Sequence, residues 1–374
     1  MKDNNNLLTQ TLADVEHVKV HGRTTGCLAP LTLFWTGSAL ELNLTGTELW
    51  VEIEADYDLY EPWICMEING VPVSRQMVTG GRRWIPLFRG MSADKVKNIR
   101  VITEVQAMSG DPACLFQIHA VKYDGTCLPV QEQPYKIEFI GDSITSGEGA
   151  IGAKEEEDWL PVWFSAVQNY TAMTARSLNA EYRVISQSGW GVLTGWDNNP
   201  QMNIPQYYEQ VCGLLAGERN EALGARTAYH FEAWQPDAVV VNLGTNDGGA
   251  FYSPGWRNPV SGEIHKQRLN EDGTFNSDDL AAFEQAACNF LIKLRQKNTH
   301  AHIVWAYGML SIPMMPAIYR AVDAYVRLTG DRKVSVFQLP NMTEDTMGAR
   351  SHPGVKAHEK AAEALTGYLK ELLA

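Results

Sequence analysis

Through roughly the first 130 residues, apolar and polar positions alternate along the chain. LTLFWTGSALELNLTGTELWVEIEADY, residues 31–57, carries an apolar side chain at every second position and breaks at Thr36-Gly37-Ser38 and Thr45-Gly46. WICMEINGVPVS repeats the pattern around Asn69-Gly70, a pair suited to a two-residue hairpin because both turn positions take positive φ. RRWIPLF, KNIRVITEV and CLFQIHAVKYDG carry the pattern on to Gly125. Many short strands with turn residues about every 8–12 positions predict a β-sandwich or jelly roll. CLPVQEQPYK, with prolines at 129 and 134, then reads as a linker.

Beyond Pro134 the period changes. Apolar runs at 136–140, 183–186, 238–243 and 302–308, and VSVFQL at 334–339, read as strands. Between them, 159–178, 279–296 and 317–328 read as helices, and a last helix is expected over about 354–373. Continuous apolar strands alternating with helices predict a parallel sheet covered on both faces. The expected fold class is therefore α/β. A three-layer α/β/α domain with about five parallel strands, residues 131–374, follows an all-β jelly-roll sandwich, residues 1–130. In such sheets ligands bind at the carboxyl ends of the strands.

Chemistry collects at those ends. The first strand runs into Gly141-Asp142-Ser143-Ile144-Thr145, and the second into Ser186-Gln187-Ser188-Gly189-Trp190-Gly191. The third meets Gly244-Thr245-Asn246-Asp247, and Ser351-His352-Pro353-Gly354 precedes the last helix. Ester hydrolysis needs a nucleophile, a base within reach and donors aimed at the developing oxyanion. Ser143, between a strand and a Ser-Gly-Glu-Gly loop, is the candidate nucleophile, and His352 the candidate base. Of nine histidines, His352 alone stands before the terminal helix with a Pro-Gly break, while His358 reads as structural. Asp142, beside the serine, is expected to hold the loop.

These blocks resemble those of the SGNH, or GDSL-type, hydrolases, whose nucleophile block GDSIT matches, over about residues 136–374. EFIGDSITSGEG and SQSGWGV behind a β-rich module narrow the likeness to carbohydrate esterase family 2, acetyl esterases with a jelly roll before the SGNH domain. The GxSxG elbow of the α/β-hydrolases is absent, since Thr145 holds its fifth position. The resemblance implies an oxyanion hole made by the N–H of Ser143, the N–H of Gly189 and the side-chain amide of Asn246. It also implies a flavodoxin-like catalytic sheet and acetylated xylan-type carbohydrate as substrate, 6-O-acetyl groups included.

One departure bears on mechanism. Most SGNH enzymes carry an Asp three residues before the catalytic His, and here that position is Ala349. The orienting group must accept from Nδ1 so that Nε2 stays free as a base. A backbone carbonyl near Ser351 is one solution, giving a Ser-His dyad; Glu344 or Asp345 folding back is another. An impaired site that only binds carbohydrate is a third reading, and a short-chain lipid or thioester hydrolase a fourth. Trp190, Trp196, Tyr252 and Trp256 fall in the loops around the crevice, where flat rings suit stacking on sugars or closing a small acyl pocket.

Composition narrows the partners. Forty-four acidic against 31 basic residues leave a net charge of −13, which opposes nucleic-acid and anionic-membrane surfaces. Neither GxGxxG after a strand nor a P-loop occurs, so nucleotide and oxidoreductase readings fail and no cofactor is implied. Six scattered cysteines without CxxC spacing read as buried free thiols, and no metal is implied. The N-terminal stretch has no secretory h-region, which makes the cytoplasm the expected compartment, and a homo-oligomer is compatible with this size.

Overall fold

The computed structural model describes residues 7–374, so the first six residues of the expected 1–130 domain lie outside the described residues. The chain forms two compact units. The first takes in residues up to 132 together with 160–162 and 210–229, and the second holds the remainder.

In the first unit, two antiparallel sheets enclose one apolar core. One contains Leu8–Thr11, Leu31–Thr32, Leu115–Tyr123, Glu48–Asp56 and Gly81–Arg89. The other contains Lys19–His21, Cys127–Leu128, Ala39–Leu44, Lys97–Thr103, Trp63–Ile68 and Val71–Met77. The alternation is literal in Glu48–Asp56, where Leu49, Val51, Ile53 and Ala55 are buried and Glu48, Trp50, Glu52 and Glu54 face outward. Asn69 (φ 54) and Gly70 (φ 76) make the expected hairpin turn. Segment 210–229 falls in a region that the sequence assigns to the hydrolase domain, yet it packs within this unit. The Trp35 indole donates to the Val211 carbonyl at 2.7 Å.

The second unit is a five-stranded parallel sheet: β1 (Tyr135–Gly141), β2 (Ala180–Ser186), β3 (Ala238–Asn242), β4 (His302–Gly308) and β5 (Val334–Leu339). Its order is β2-β1-β3-β4-β5, the flavodoxin-like arrangement in which the succession of strands across the sheet reverses at β1. All five residues of β3 are buried, as a strand covered on both faces requires. The helices are α1 (Ser143–Ser146), α2 (Tyr170–Leu178), α3 (Thr245–Ala250), α4 (Ser277–Lys297), α5 (Met315–Thr329) and α6 (Val355–Leu373).

The helix expected over 159–178 is shorter. Only Tyr170–Leu178 is α-helical, after a 3₁₀ turn at Pro161–Trp163. Asn169 explains the late start: its side-chain oxygen accepts from the Thr171 N–H, while its Nδ2 donates to the carbonyls of Ile144 and Thr145. A cap that also ties down the turn at Ser143–Ser146 fixes where the helix begins. The thiols also depart in part from expectation. All six cysteines are free, but Cys27 is exposed and Cys114 only partly covered.

No helix among the described residues is long and apolar enough to cross a membrane.

Candidate active site

Ser143 opens α1 directly after β1, and Asp142 caps that helix by accepting from the Ile144 N–H at 3.1 Å. Four residues then make a complete turn, because Gly147 takes the left-handed conformation and its N–H closes back on Ile144. The Ser143 hydroxyl therefore projects beyond the carboxyl end of the sheet.

His352 reaches it from the loop before α6. Its Nε2 lies 2.9 Å from Ser143 Oγ, and its Nδ1 lies 2.7 Å from the carbonyl oxygen of Arg350. A carbonyl only accepts, so Nδ1 carries the proton and Nε2 presents its lone pair to the hydroxyl. Arg350 (φ 56) and Ser351 (φ 53) both sit in the left-handed region. That conformation costs roughly 1–2 kcal/mol per residue outside glycine. The other candidate orienters are engaged elsewhere: Glu344 pairs with Lys154 at 2.9 Å, and Asp345 accepts from the Thr343 hydroxyl at 2.5 Å.

On the opposite side, Gly189 has φ 79, and a Cβ there would come within 2.9 Å of the Trp196 ring. Glycine meets both demands. The N–H groups of Ser143 and Gly189 make no hydrogen bond among the described residues. The Asn246 amide donates to the Trp190 carbonyl at 2.9 Å and to Asp142 at 3.3 Å, the second bond being long and weak. Asp247, one residue on, accepts from the N–H groups of Val192, Leu193 and Thr194 and holds that loop beside Gly189.

Both acids are buried, and burial pushes their carboxyls up, Asp142 to about 7 and Asp247 to about 6. For Asp142 the nearby charges of Asp247 and Glu148 add to the rise. His358 is a core residue: it accepts from the Tyr170 N–H at 3.2 Å, and burial holds it down at about 3.

The aromatic residues separate. Trp190 is 6% exposed and packed against Tyr207, and its carbonyl accepts from the Asn246 amide. Trp196 is 54% exposed beside Gly189. Tyr252, 68% exposed, stands edge-on to Phe275, and the half-buried Trp256 lies on a short hairpin against His265. Asn198 binds these loops together, donating to the carbonyls of Ala250 and Pro254 and accepting from the Gln267 N–H.

Sequence reasoning missed Glu148, Arg350 and Asp247. Glu148 is visible only as the acid of the Ser-Gly-Glu-Gly loop, and nothing in that loop points to a partner 202 positions away. Among the described residues, no group of three or more His, Cys, Asp or Glu is placed to hold a metal ion.

The profile of the family described as GDSL-like Lipase/Acylhydrolase matches residues 137–365. An acetyl xylan esterase from the rumen bacterium Butyrivibrio proteoclasticus is similar at 44% identity, with a TM-score of 0.97 and 98% of each chain covered. A family two carbohydrate esterase from Clostridium thermocellum, solved in complex with cellohexaose, is similar at 25% identity. Its TM-score is 0.78, with 95% of this chain and 99% of that one covered. The cellulase/esterase CelE of Acetivibrio thermocellus is 27% identical over 345 residues; these are 91% of this chain but 37% of that protein's length. The chain belongs to the GDSL-like lipase/acylhydrolase family of carboxylic ester hydrolases and, within it, to the carbohydrate esterase family 2 enzymes.

Proposed function

We propose that this chain is a serine esterase that removes O-acetyl groups from carbohydrate through a Ser143–His352 dyad. The observation that carries the reading is His352, whose Nε2 lies 2.9 Å from Ser143 Oγ while Nδ1 is satisfied 2.7 Å away by a carbonyl. That arrangement supplies a base of fixed tautomer without a third side chain.

Ser143 Oγ attacks the acetyl carbonyl carbon as its proton passes to His352 Nε2. The carbonyl π pair moves onto oxygen, where the N–H groups of Ser143 and Gly189 and the Asn246 amide receive it. Asn246 exchanges its 3.3 Å bond to Asp142 for the oxyanion. Collapse of the adduct breaks the bond to the sugar oxygen, which leaves with the proton from His352. Water then attacks the acetyl-serine by the same path, releasing acetate and restoring the hydroxyl.

The substrate class we favour is acetylated xylan-type oligosaccharide. Trp196 supports it as a largely exposed aromatic residue beside Gly189. The Butyrivibrio relative is an acetyl xylan esterase, and the Clostridium relative was solved with a cellulose fragment. In this reading the second unit, residues 133–159, 163–209 and 230–374, is the catalytic domain.

Hydrolysis of 4-nitrophenyl acetate and butyrate by wild type, Ser143→Ala and His352→Ala tests the proposal. Preference for acetate, with turnover abolished in both variants, is the expected result. Rates that rise with acyl length would turn the reading to a lipid or thioester hydrolase. Wild type no faster than Ser143→Ala would leave a carbohydrate-binding site without chemistry.

A further inference from the structure

The missing aspartate leaves the catalytic histidine with a neutral orienter, and that orienter belongs to a residue in a disfavoured conformation. The backbone of Arg350 stays there because three bonds hold it. Its N–H donates to the Glu156 carbonyl at 2.7 Å, its guanidinium donates to the Glu157 carbonyl at 2.7 Å, and its Nε donates to Glu148 Oε1 at 2.8 Å. Disfavoured backbone persists only where its surroundings over-determine it.

Glu148 is the informative partner. It is 2% exposed, five residues after the nucleophile, and its own N–H donates to the Ser143 carbonyl at 3.0 Å. One residue therefore grips the nucleophile turn through its backbone and the histidine loop through its carboxylate. The two loops are also zipped by main chain, Ala349 N–H to the Gly149 carbonyl and Val355 N–H to the Ala150 carbonyl, each at 3.0 Å. The same carboxylate oxygen lies 4.0 Å from His352 Nε2, the atom that becomes positively charged when it takes the serine proton.

The geometry points to Glu148 and Arg350 as a paired positioning unit that does the work of the absent aspartate. Arg350 sets the tautomer and tilt of the ring through its carbonyl. Glu148 holds Arg350 in place and supplies the negative charge that the imidazolium meets. A buried ion pair with only a structural duty would stabilise the loops without needing to lie against the reacting nitrogen. Neither residue touches substrate in this account. The inference rests on the Ser143–His352 esterase reading and adds the residues that make the dyad competent.

The test uses the full chain with 4-nitrophenyl acetate, comparing Glu148→Gln, Glu148→Asp, Arg350→Met, Arg350→Lys and the Glu148→Gln/Arg350→Met double variant, with Ser143→Ala alongside. Melting temperature is recorded for each. A misplacement of this kind lowers kcat by about 10²-fold. The expected result is that loss in Glu148→Gln and Arg350→Met at unchanged KM, partial recovery in Glu148→Asp, and a double variant no slower than the worse single one. Loss of activity that tracks melting temperature, or single effects that multiply in the double variant, would reduce the pair to a structural salt bridge. Wild-type kcat in Glu148→Gln and Arg350→Lys overturns the inference even if Arg350→Met does not fold. Ser143→Ala separates the two claims: if it stays active, the esterase reading itself has failed.

Discussion

The carbonyl oxygen of Arg350 lies 2.7 Å from Nδ1 of His352, two residues further along the same loop. In a triad this place is taken by a carboxylate, which both fixes the tautomer and offsets the charge on the ring. A carbonyl does the first task alone. Its direction is set by φ and ψ of Arg350 and not by any rotamer, so the aim of the His352 ring depends on how firmly that backbone is held.

Asn246, the side-chain oxyanion donor in the proposed mechanism, has an amide already engaged, at 2.9 Å with the Trp190 carbonyl and at 3.3 Å with Asp142. Replacing it with alanine removes a donor that matters most in the transition state. Asn246→Ala is expected to lower kcat for 4-nitrophenyl acetate by about 10²–10³-fold, with KM nearly unchanged. An equal rise in KM would assign the amide to ground-state binding.

Stability should fall toward alkaline pH because of Asp142 and Asp247. Burial raises them from 3.8 to about 7 and about 6, so over that window the folded chain keeps protons that the unfolded chain has released. Their contribution is complete below about pH 4 and is lost as pH rises through the folded values. Asp142→Asn keeps an oxygen for the Ile144 N–H and removes one of the two titrations. Its melting temperature relative to wild type should rise by about 3 °C or more between pH 5 and pH 8. A difference that does not change with pH would mean the carboxyl is ionised throughout.

His358 acts in the opposite direction. Burial lowers it from 6.5 to about 3, so unfolding takes up a proton between those values. The stability it contributes is full above about pH 6.5 and is lost as pH falls toward 3. His358→Gln offers an acceptor to the Tyr170 N–H without titrating. The variant should melt below wild type at pH 8, and the gap should narrow by pH 5 in thermal scans. A gap of constant width argues against a neutral buried imidazole.

Trp196 tests the carbohydrate. Its ring is exposed beside Gly189, and in the proposed function it would stack on the sugar outside the bonds that break. Removing its apolar face costs about 1–2 kcal/mol, roughly tenfold in binding. Trp196→Ala should raise KM for acetylated xylo-oligosaccharides by that factor and leave kcat/KM for 4-nitrophenyl acetate within about threefold. Equal losses on both substrates would place the ring at the acyl pocket.

Periodicity and residue type alone carry the outline of the fold. Alternation in Glu48–Asp56 announces a half-buried strand, and the unbroken AVVVN of β3 announces a strand covered on both faces. These patterns are local, because a strand exposes or buries each residue according to its place in a run of five or ten. Ser143, Gly189 and Asn246 follow three successive strands of one parallel sheet, at whose carboxyl ends ligands gather, and that much is written in the order of the chain.

Tertiary structure decided the rest. Trp190 is indistinguishable from Trp196 in composition and neighbourhood, yet one is buried on Tyr207 and the other open beside Gly189. The start of α2 at Tyr170 depends on Asn169 reaching the carbonyls of Ile144 and Thr145 in α1. Segment 210–229 joins the first unit through contacts such as Trp35 with Val211. The orienter of His352 is a carbonyl, a group every residue has and no residue type advertises. Its aim comes from backbone angles held by Glu148, 202 positions earlier. Such choices depend on which distant segments meet and at what angle, and only the folded chain sets that.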